Sequence, residues 1–299
     1  MQCASVTADT TADMQPLFEY RRSLAGCETR VLELEGDGAP LLLFHGFSDS
    51  ADTWRHTLAL LARSERRAIA VDLPGFAEGG RLRPGEVLPQ LDAVAAGVLD
   101  YALEEGGERA VAVGNSLGGC VALRLAERRG GQLAGTVAVA PAGLEMAGWF
   151  GLIERDRVLR SLLTLPVPVA PRVLRAVVGR VYATLAFADP RHVDPSVITA
   201  FARHHRDRDT VARYMETARR MLPELRDPFD LSRIAGPVLL VWGDRDRLVF
   251  SSGAERVLAT VPGARLELFE RCGHCPQIED PERFAKLLLE FSAEGAAAG

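Results

Sequence analysis

The stretch Gly114-Asn115-Ser116-Leu117-Gly118 follows a short apolar run at residues 109–113 and opens a helical pattern that continues to about residue 128. It has the form G-x-S-x-G, in which a serine occupies a tight turn from a strand into a helix. Small residues two positions before and after the serine let the strand and helix backbones come close together. The pattern therefore predicts a nucleophilic serine, Ser116, whose hydroxyl stands above the edge of a sheet.

Short apolar runs alternate with helical patterns on both sides of this turn. Predicted strands cover residues 40–44, 68–73, 109–113, 136–140, 237–242 and 265–269, and predicted helices lie near residues 54–61, 88–103, 117–128, 254–260 and 281–291. This rhythm predicts an α/β fold with a mostly parallel central sheet flanked by helices. The runs are apolar throughout, which is typical of strands covered on both faces.

The strand rhythm is interrupted between residues 144 and 231, where helical stripes are punctuated by prolines. We therefore predict a core formed by residues 1–143 and 232–299, with a helical cap, residues 144–231, inserted between two strands. The cap contains the run Arg203-His204-His205-Arg206-Asp207-Arg208. We interpret this run as a solvated helix face. The alternative is a patch near the mouth of the pocket that recognises a substrate carboxylate.

The overall composition argues against a nucleic-acid-binding protein and against a membrane-spanning one. Apolar residues make up 47% of the chain, and the net charge is −5, which argues against a dedicated nucleic-acid-binding protein. No apolar stretch is long enough to cross a bilayer. The five cysteines are scattered, and the first fifteen residues lack the apolar middle of a signal peptide. These features predict reduced thiols and a cytoplasmic location.

A serine nucleophile needs a base to take its proton. Of the six histidines, His274 alone lies between the last predicted strand and the last predicted helix, where it can overhang the serine. Asp244 and Asp246 follow the strand at residues 237–242, and either carboxylate could orient the imidazole. The chain order is then serine, aspartate, histidine, which is the order found in α/β-hydrolases.

Four motifs carry a resemblance to the α/β-hydrolase superfamily, in its branch with a helical cap. The motifs are His45-Gly46-Phe47, Asp72-Leu73-Pro74-Gly75-Phe76, Gly114 to Gly119, and Trp242 to Asp246 paired with Gly273-His274. The resemblance covers residues from about 17 to 292. It implies that Asp246 is the catalytic acid and that the backbone N–H groups of Phe47 and Leu117 form an oxyanion hole.

The resemblance also implies a function. We expect a serine hydrolase that cleaves a carboxylic ester of a small molecule through an acyl-enzyme, with Ser116, His274 and Asp246 as the triad. No cofactor or metal is expected. The alternative is a carbon–carbon bond hydrolase of aromatic ring-cleavage products, which Asn115 and the run Pro141-Ala142-Gly143-Leu144 resemble. An alternative of another class is a non-catalytic receptor. The sequence leaves the acyl and alcohol groups and the oligomeric state open.

The substrate pocket is expected between the cap and the carboxyl ends of the strands. The residues predicted to line it are His45, Asn115, Trp149, Phe150, Leu152 and Val249. His274 lies within Cys272-Gly273-His274-Cys275, a spacing also found in disulfide isomerases. Because the hydrolase interpretation already accounts for the glycine and the histidine, we predict no redox role for Cys272 and Cys275.

Overall fold

The computed structural model describes residues 15–104, 107, 109–148 and 170–297. The strands in these ranges are β1 Leu17–Leu24, β2 Cys27–Leu34, β3 Asp37–Phe44, β4 Arg66–Val71, β5 Ala110–Asn115, β6 Leu133–Val139, β7 Val238–Gly243 and β8 Arg265–Phe269. The α-helices are α1 Arg55–Leu61, α2 Leu88–Leu103, α3 Leu117–Arg129, α4 Pro171–Ala186, α5 Pro195–Arg203, α6 Arg208–Met221, α7 Ala254–Thr260, α8 Pro276–Glu279 and α9 Pro281–Ala297. Short 3-10 turns lie at Ala51–Trp54, Gly130–Gln132, Pro190–His192, Glu224–Arg226, Leu231–Arg233 and Ser251–Gly253.

The strands of the described ranges form one eight-stranded sheet in the order β1-β2-β4-β3-β5-β6-β7-β8. Every neighbouring pair from β4 to β8 is parallel, whereas β1 and β2 pair antiparallel with each other, and β2 pairs antiparallel with β4. The predicted mostly parallel sheet flanked by helices is confirmed. All six predicted strands are present, and β1 and β2 add an antiparallel edge that was not predicted.

Alternate residues of the central strands enter two separate hydrophobic cores. Leu42 and Phe44 of β3 belong to the core that helices α2 and α3 cover, and Leu41 and Leu43 belong to the core that α1 and α9 cover. All four side chains are fully buried. Both faces of the sheet are therefore shielded, which explains why its central strands are apolar at every position.

Helices α4 to α6 lie between β6 and β7 in the chain. The ring of Tyr182 in α4 stacks on Phe201 in α5 at 3.7 Å between centroids. The hydroxyl of Tyr214 in α6 accepts a hydrogen bond from the backbone N–H of Ala77 at 3.0 Å, which ties the inserted helices to the loop after β4. The limits of the cap, residues 144 and 231, stay a prediction.

Candidate active site

The turn between β5 and α3 holds Ser116 in a conformation that side-chain-bearing residues rarely adopt. Ser116 has φ 55° and ψ −112°, and it is partly exposed although its neighbours are buried. A Cβ on Gly114 would lie 2.0 Å from the carbonyl oxygen of Gly118, and a Cβ on Gly118 would lie 2.0 Å from that of Phe44. Only glycines fit at these two positions, so the G-x-S-x-G spacing follows from the close approach of strand and helix.

The backbone of Ser116 is held on both sides. Its N–H donates to the carbonyl of Val139 in β6 at 2.8 Å. Its carbonyl accepts from the N–H of Cys120 at 3.0 Å and from that of Ala142 at 2.9 Å. Hydrogen bonds from β6, from α3 and from the loop after β6 thus hold the strained turn in place.

His274 and Asp246 form a buried hydrogen-bonded pair. The imidazole Nδ1 of His274 lies 2.7 Å from Asp246 Oδ2, and the two side chains are 6% and 2% exposed. The other carboxylate oxygen of Asp246 accepts from the N–H groups of Leu248 at 2.8 Å and Val249 at 3.1 Å. Asp244 instead accepts the N–H of Cys272 at 3.2 Å. Of the two acids that the sequence left open, Asp246 is the one that contacts His274.

The loop that carries His274 is fastened from three directions. The N–H of His274 donates to the carbonyl of Ala186 at the end of α4 at 2.7 Å, and its carbonyl accepts from Asn115 Nδ2 at 2.9 Å. The carboxylate of Glu279 accepts from the N–H groups of Gly273 at 2.7 Å and Ala188 at 2.8 Å. Sequence reasoning missed Glu279, whose only signal is an acid in the first turn after the histidine loop.

Ser116 forms no hydrogen bond with His274 within the part of the chain that the structure describes. Such bonds are often long in a protein without substrate and tighten when substrate binds. The bonds described above nevertheless bring the two loops together, because Asn115, which donates to His274, directly precedes Ser116.

The two predicted oxyanion donors flank the serine. A Cβ on Gly46 would lie 3.5 Å from Ser116 Cβ, so the loop that contains Phe47 runs beside the serine. Leu117 is the first residue of α3, where a backbone N–H has no partner inside the helix. Among the described residues, neither the N–H of Phe47 nor that of Leu117 donates to another group. Within the described ranges both N–H groups are therefore unpaired, and their role as oxyanion donors stays a prediction.

Three of the predicted pocket residues, His45, Asn115 and Val249, are buried. His45 is completely buried, donates from Nδ1 to the carbonyl of Gly46 at 2.7 Å and accepts the N–H of Leu73 at 2.8 Å. Burial lowers the pKa of His45 to about 4, which keeps the ring neutral for both bonds. Asn115 and Val249 are 2% and 1% exposed and brace the loops of His274 and Asp246. That these three side chains line the substrate pocket stays a prediction.

The other predicted pocket residues, Trp149, Phe150 and Leu152, lie outside the described residues. In the run at residues 203–208, Arg203, Arg206 and Asp207 are exposed, as expected of a solvated face. His204 and His205 differ from that expectation, because they are 5% and 3% exposed. His205 Nε2 lies 2.7 Å from the hydroxyl of Ser48 in the loop after β3. The sequence pattern was wrong only for these two histidines, because it records charge but not which side chains after α5 pack on the core.

Cys272 and Cys275 are free, buried thiols. Burial raises the pKa of each thiol well above its usual range, so both remain protonated at neutral pH.

Within the described ranges, no group of three or more His, Cys, Asp or Glu side chains is arranged to hold a metal ion. No helix in those ranges combines the length and the apolar character that a bilayer crossing requires.

The chain is similar to known proteins along most of its length. The sequence model of the Alpha/beta hydrolase family matches residues 41–287. A monoacylglycerol lipase of Xenopus laevis is 26% identical over 263 residues, which cover 86% of this chain and 76% of that protein. The 2-hydroxy-6-oxo-6-(2'-aminophenyl)hexa-2,4-dienoic acid hydrolase of Metapseudomonas resinovorans is 27% identical over 280 residues, covering 91% and 89%. The crystal structure of a serine hydrolase involved in carbazole degradation superposes with a TM-score of 0.74 at 23% identity, covering 93% and 99%.

Proposed function

Since the chain belongs to the Alpha/beta hydrolase family, we propose that it is a serine hydrolase that cleaves a carboxylic ester of a small molecule. Ser116 is the nucleophile, His274 the general base and Asp246 the acid that orients the imidazole. The observation that carries this proposal is the 2.7 Å contact between His274 Nδ1 and Asp246 Oδ2, formed beside a serine in the strained turn.

The contact sets the protonation of the imidazole. Because Asp246 accepts a hydrogen bond at Nδ1, the proton of neutral His274 lies there and Nε2 is free to take the proton of the Ser116 hydroxyl. The serine oxygen then attacks the acyl carbon, and the N–H groups of Phe47 and Leu117 stabilise the oxyanion of the tetrahedral intermediate. His274 returns the proton to the departing alcohol, and an acyl-enzyme remains.

In the second half of the reaction, water hydrolyses the acyl-enzyme and the carboxylic acid product is released. His274 Nε2 takes a proton from the water as its oxygen attacks the acyl carbon. Collapse of the intermediate breaks the bond to Ser116, and the serine oxygen recovers its proton from His274. We propose the cap, residues 144–231, as the cover of this site, because α4, α5 and α6 all contact loops at the carboxyl ends of the strands. The free thiols agree with a cytoplasmic setting.

The test is turnover of p-nitrophenyl esters of graded acyl length by the wild type and by Ser116→Ala. We expect turnover by the wild type and labelling of Ser116 by a fluorophosphonate, with both lost in the variant. Ser232→Ala is the matched control, because Ser232 is exposed and bonds only to Asp230 among the described residues. A wild type without turnover or labelling would favour the non-catalytic receptor and contradict the proposal.

A second candidate is hydrolysis of a carbon–carbon bond in a ring-cleavage product. The specific observation in its favour is the similarity to the dienoic acid hydrolase of Metapseudomonas resinovorans along 91% of the chain. The same serine and histidine would serve, with a carbon leaving group. Turnover of a 2-hydroxy-6-oxo-hexa-2,4-dienoate at a higher kcat/KM than every ester of the panel would favour this candidate over the esterase. The similarity to a monoacylglycerol lipase favours the ester.

A further inference from the structure

The loop that presents Phe47 contains a second strained residue, Ser48. Ser48 has φ 62°, the left-handed conformation that usually favours glycine or asparagine. It occupies the third position of a four-residue turn that the N–H of Asp49 closes onto the carbonyl of Gly46 at 3.4 Å. Phe47, the proposed oxyanion donor, occupies the second position. A strained conformation persists only where the surroundings hold it, so a contact to Ser48 bears on the direction of the Phe47 N–H.

The side chain that holds Ser48 comes from the inserted helices. His205 Nε2 lies 2.7 Å from the Ser48 hydroxyl, and His205 Nδ1 lies 3.2 Å from the carbonyl of Phe201. A carbonyl can only accept, so Nδ1 carries the proton and Nε2 accepts the hydroxyl of Ser48. Burial lowers the pKa of His205 to about 4, which keeps the ring in this neutral form at physiological pH.

The neighbouring contacts fix His205 relative to the core. Its ring packs edge-on against Tyr214 at 5.2 Å, and Tyr214 packs on Phe76, which in turn packs edge-on against Phe47 at 5.2 Å. Rings from the inserted helices and from the core thus form one continuous row that ends at the oxyanion loop. A shift of His205 would therefore displace Ser48 through the hydrogen bond and Phe47 through the row of packed rings.

A second anchor lies four residues beyond Ser48. Asp52 is buried and accepts a hydrogen bond from Arg203, and His204 Nε2 lies 3.5 Å from its carboxylate. Burial by itself would raise the pKa of Asp52, but hydrogen bonds from His204 and Arg30 lower it below its usual range. Three consecutive residues, namely Arg203 at the end of α5 and the two histidines that follow it, thus bind two points of the segment that follows β3.

We propose that His205 is a positioning residue for the oxyanion hole: by accepting the Ser48 hydroxyl, it holds the strained turn that aims the Phe47 N–H at the developing oxyanion. This inference rests on the proposed function. A group that acts on the oxyanion stabilises the transition state more than the bound substrate, so its loss lowers kcat and leaves KM nearly unchanged. Loss of a whole oxyanion donor typically costs about 10²–10³ in kcat, and we expect at least about tenfold for its misorientation.

The experiment measures kcat and KM for a p-nitrophenyl ester in Ser48→Ala, His205→Leu and the double variant. We expect each single variant to lower kcat at least tenfold with KM within twofold. The double variant should be no slower than the slower single variant, because both changes remove one bond. His205→Gln should recover most of kcat, since its side-chain oxygen can accept the Ser48 hydroxyl. An alkyl boronic acid, which forms an oxyanion on the serine, should lose affinity in step with kcat.

The controls separate positioning from general damage. His192→Leu replaces an exposed histidine of the same inserted segment and should match the wild type in kcat. Thermal unfolding identifies any variant that fails to fold, and the single variant that does fold then decides. Single variants with wild-type kcat, or losses that multiply in the double variant, would overturn the role of His205 while wild-type turnover upholds the proposed function. A wild type without turnover would overturn both.

Discussion

The side-chain amide of Asn115 donates a hydrogen bond to the backbone carbonyl of His274 at 2.9 Å. Asn115 is the last residue of β5 and directly precedes Ser116. Its amide oxygen also lies 3.8 Å from the thiol of Cys275, which donates towards it. The residue before the proposed nucleophile therefore helps to hold the loop of the proposed base in place.

Replacement of Asn115 by alanine should misplace His274. Misplacement of a catalytic group by about 1 Å can cost about 10²-fold in rate, and we expect Asn115→Ala to lower kcat for an ester by up to that factor. Steady-state kinetics measure the effect. Cys275→Ala removes the neighbouring contact but keeps the amide donor, and it should retain kcat within about twofold. Equal losses in both variants would show that packing, and not the amide bond, positions the loop.

Asp246→Asn and Asp244→Asn should have opposite consequences. Asp246 contacts the imidazole of His274, so its amide should favour the wrong tautomer and lower kcat by orders of magnitude, about 10⁴ in the serine-protease precedent. Asp244 contacts the backbone N–H of Cys272, so its amide should lower the free energy of unfolding with little change in kcat. Ester kinetics and urea unfolding of both variants provide the measurement. A larger kcat loss in Asp244→Asn would move the acid to that position.

Glu279→Gln should weaken the attachment between the histidine loop and the inserted helices. The carboxylate accepts from both Gly273 and Ala188, whereas the glutamine amide nitrogen would face one of these N–H groups and leave it unpaired. An unpaired buried donor costs about 1–3 kcal/mol in free energy of unfolding. Urea unfolding measures it. Glu290→Gln, on the exposed face of α9, is the control and should change the free energy by less than about 0.5 kcal/mol. Indistinguishable variants would refute the prediction.

Gly118→Ala should prevent folding. The added Cβ would lie 2.0 Å from the backbone carbonyl of Phe44, which cannot move without breaking the contact between β3 and α3. We expect a loss of more than about 4 kcal/mol, seen as absence of folded soluble protein. Gly131→Ala meets nothing within 4 Å and should unfold at the wild-type temperature. Recovery of a folded Gly118→Ala protein would show that the strand and helix can separate at this turn.

Asp49→Asn should change how stability depends on pH. Burial raises the pKa of Asp49 to about 7 from an ordinary 3.8, so between these values the folded protein keeps a proton that the unfolded chain has lost. Its contribution to stability falls as pH rises through this interval, by at most about 1.4 kcal/mol per unit. The asparagine variant lacks this loss. Urea unfolding at pH 5, 6, 7 and 8 measures the free energy of unfolding of both proteins. The value for the variant should rise relative to that for the wild type up to about pH 7. A constant difference would contradict the raised pKa.

Local patterns in the sequence were sufficient for strands β3 to β8, for the serine turn and for the loop that carries His274. Apolar runs report burial on both faces of a strand, and the glycine spacing around Ser116 follows from steric contact within a few residues. The edge strands β1 and β2 escaped prediction because their patterns are mixed. Most of β1 is exposed or half-exposed. In β2, Arg30 and Glu33 are buried only because distant partners, among them Asp72 and Arg67, pair with their charges.

The order of residues left Asp244 and Asp246 open, and the resemblance pointed to Asp246, which is the acid that contacts His274. Only the tertiary structure showed that Glu279 and His205 bind the loops of His274 and Ser48. Sequence determines which chemical groups a segment carries and how often its apolar residues recur. It does not determine the direction of a side chain in a loop, because that direction depends on partners brought together only when the sheet and the inserted helices pack. His205 and Ser48, 157 residues apart, contact each other for that reason.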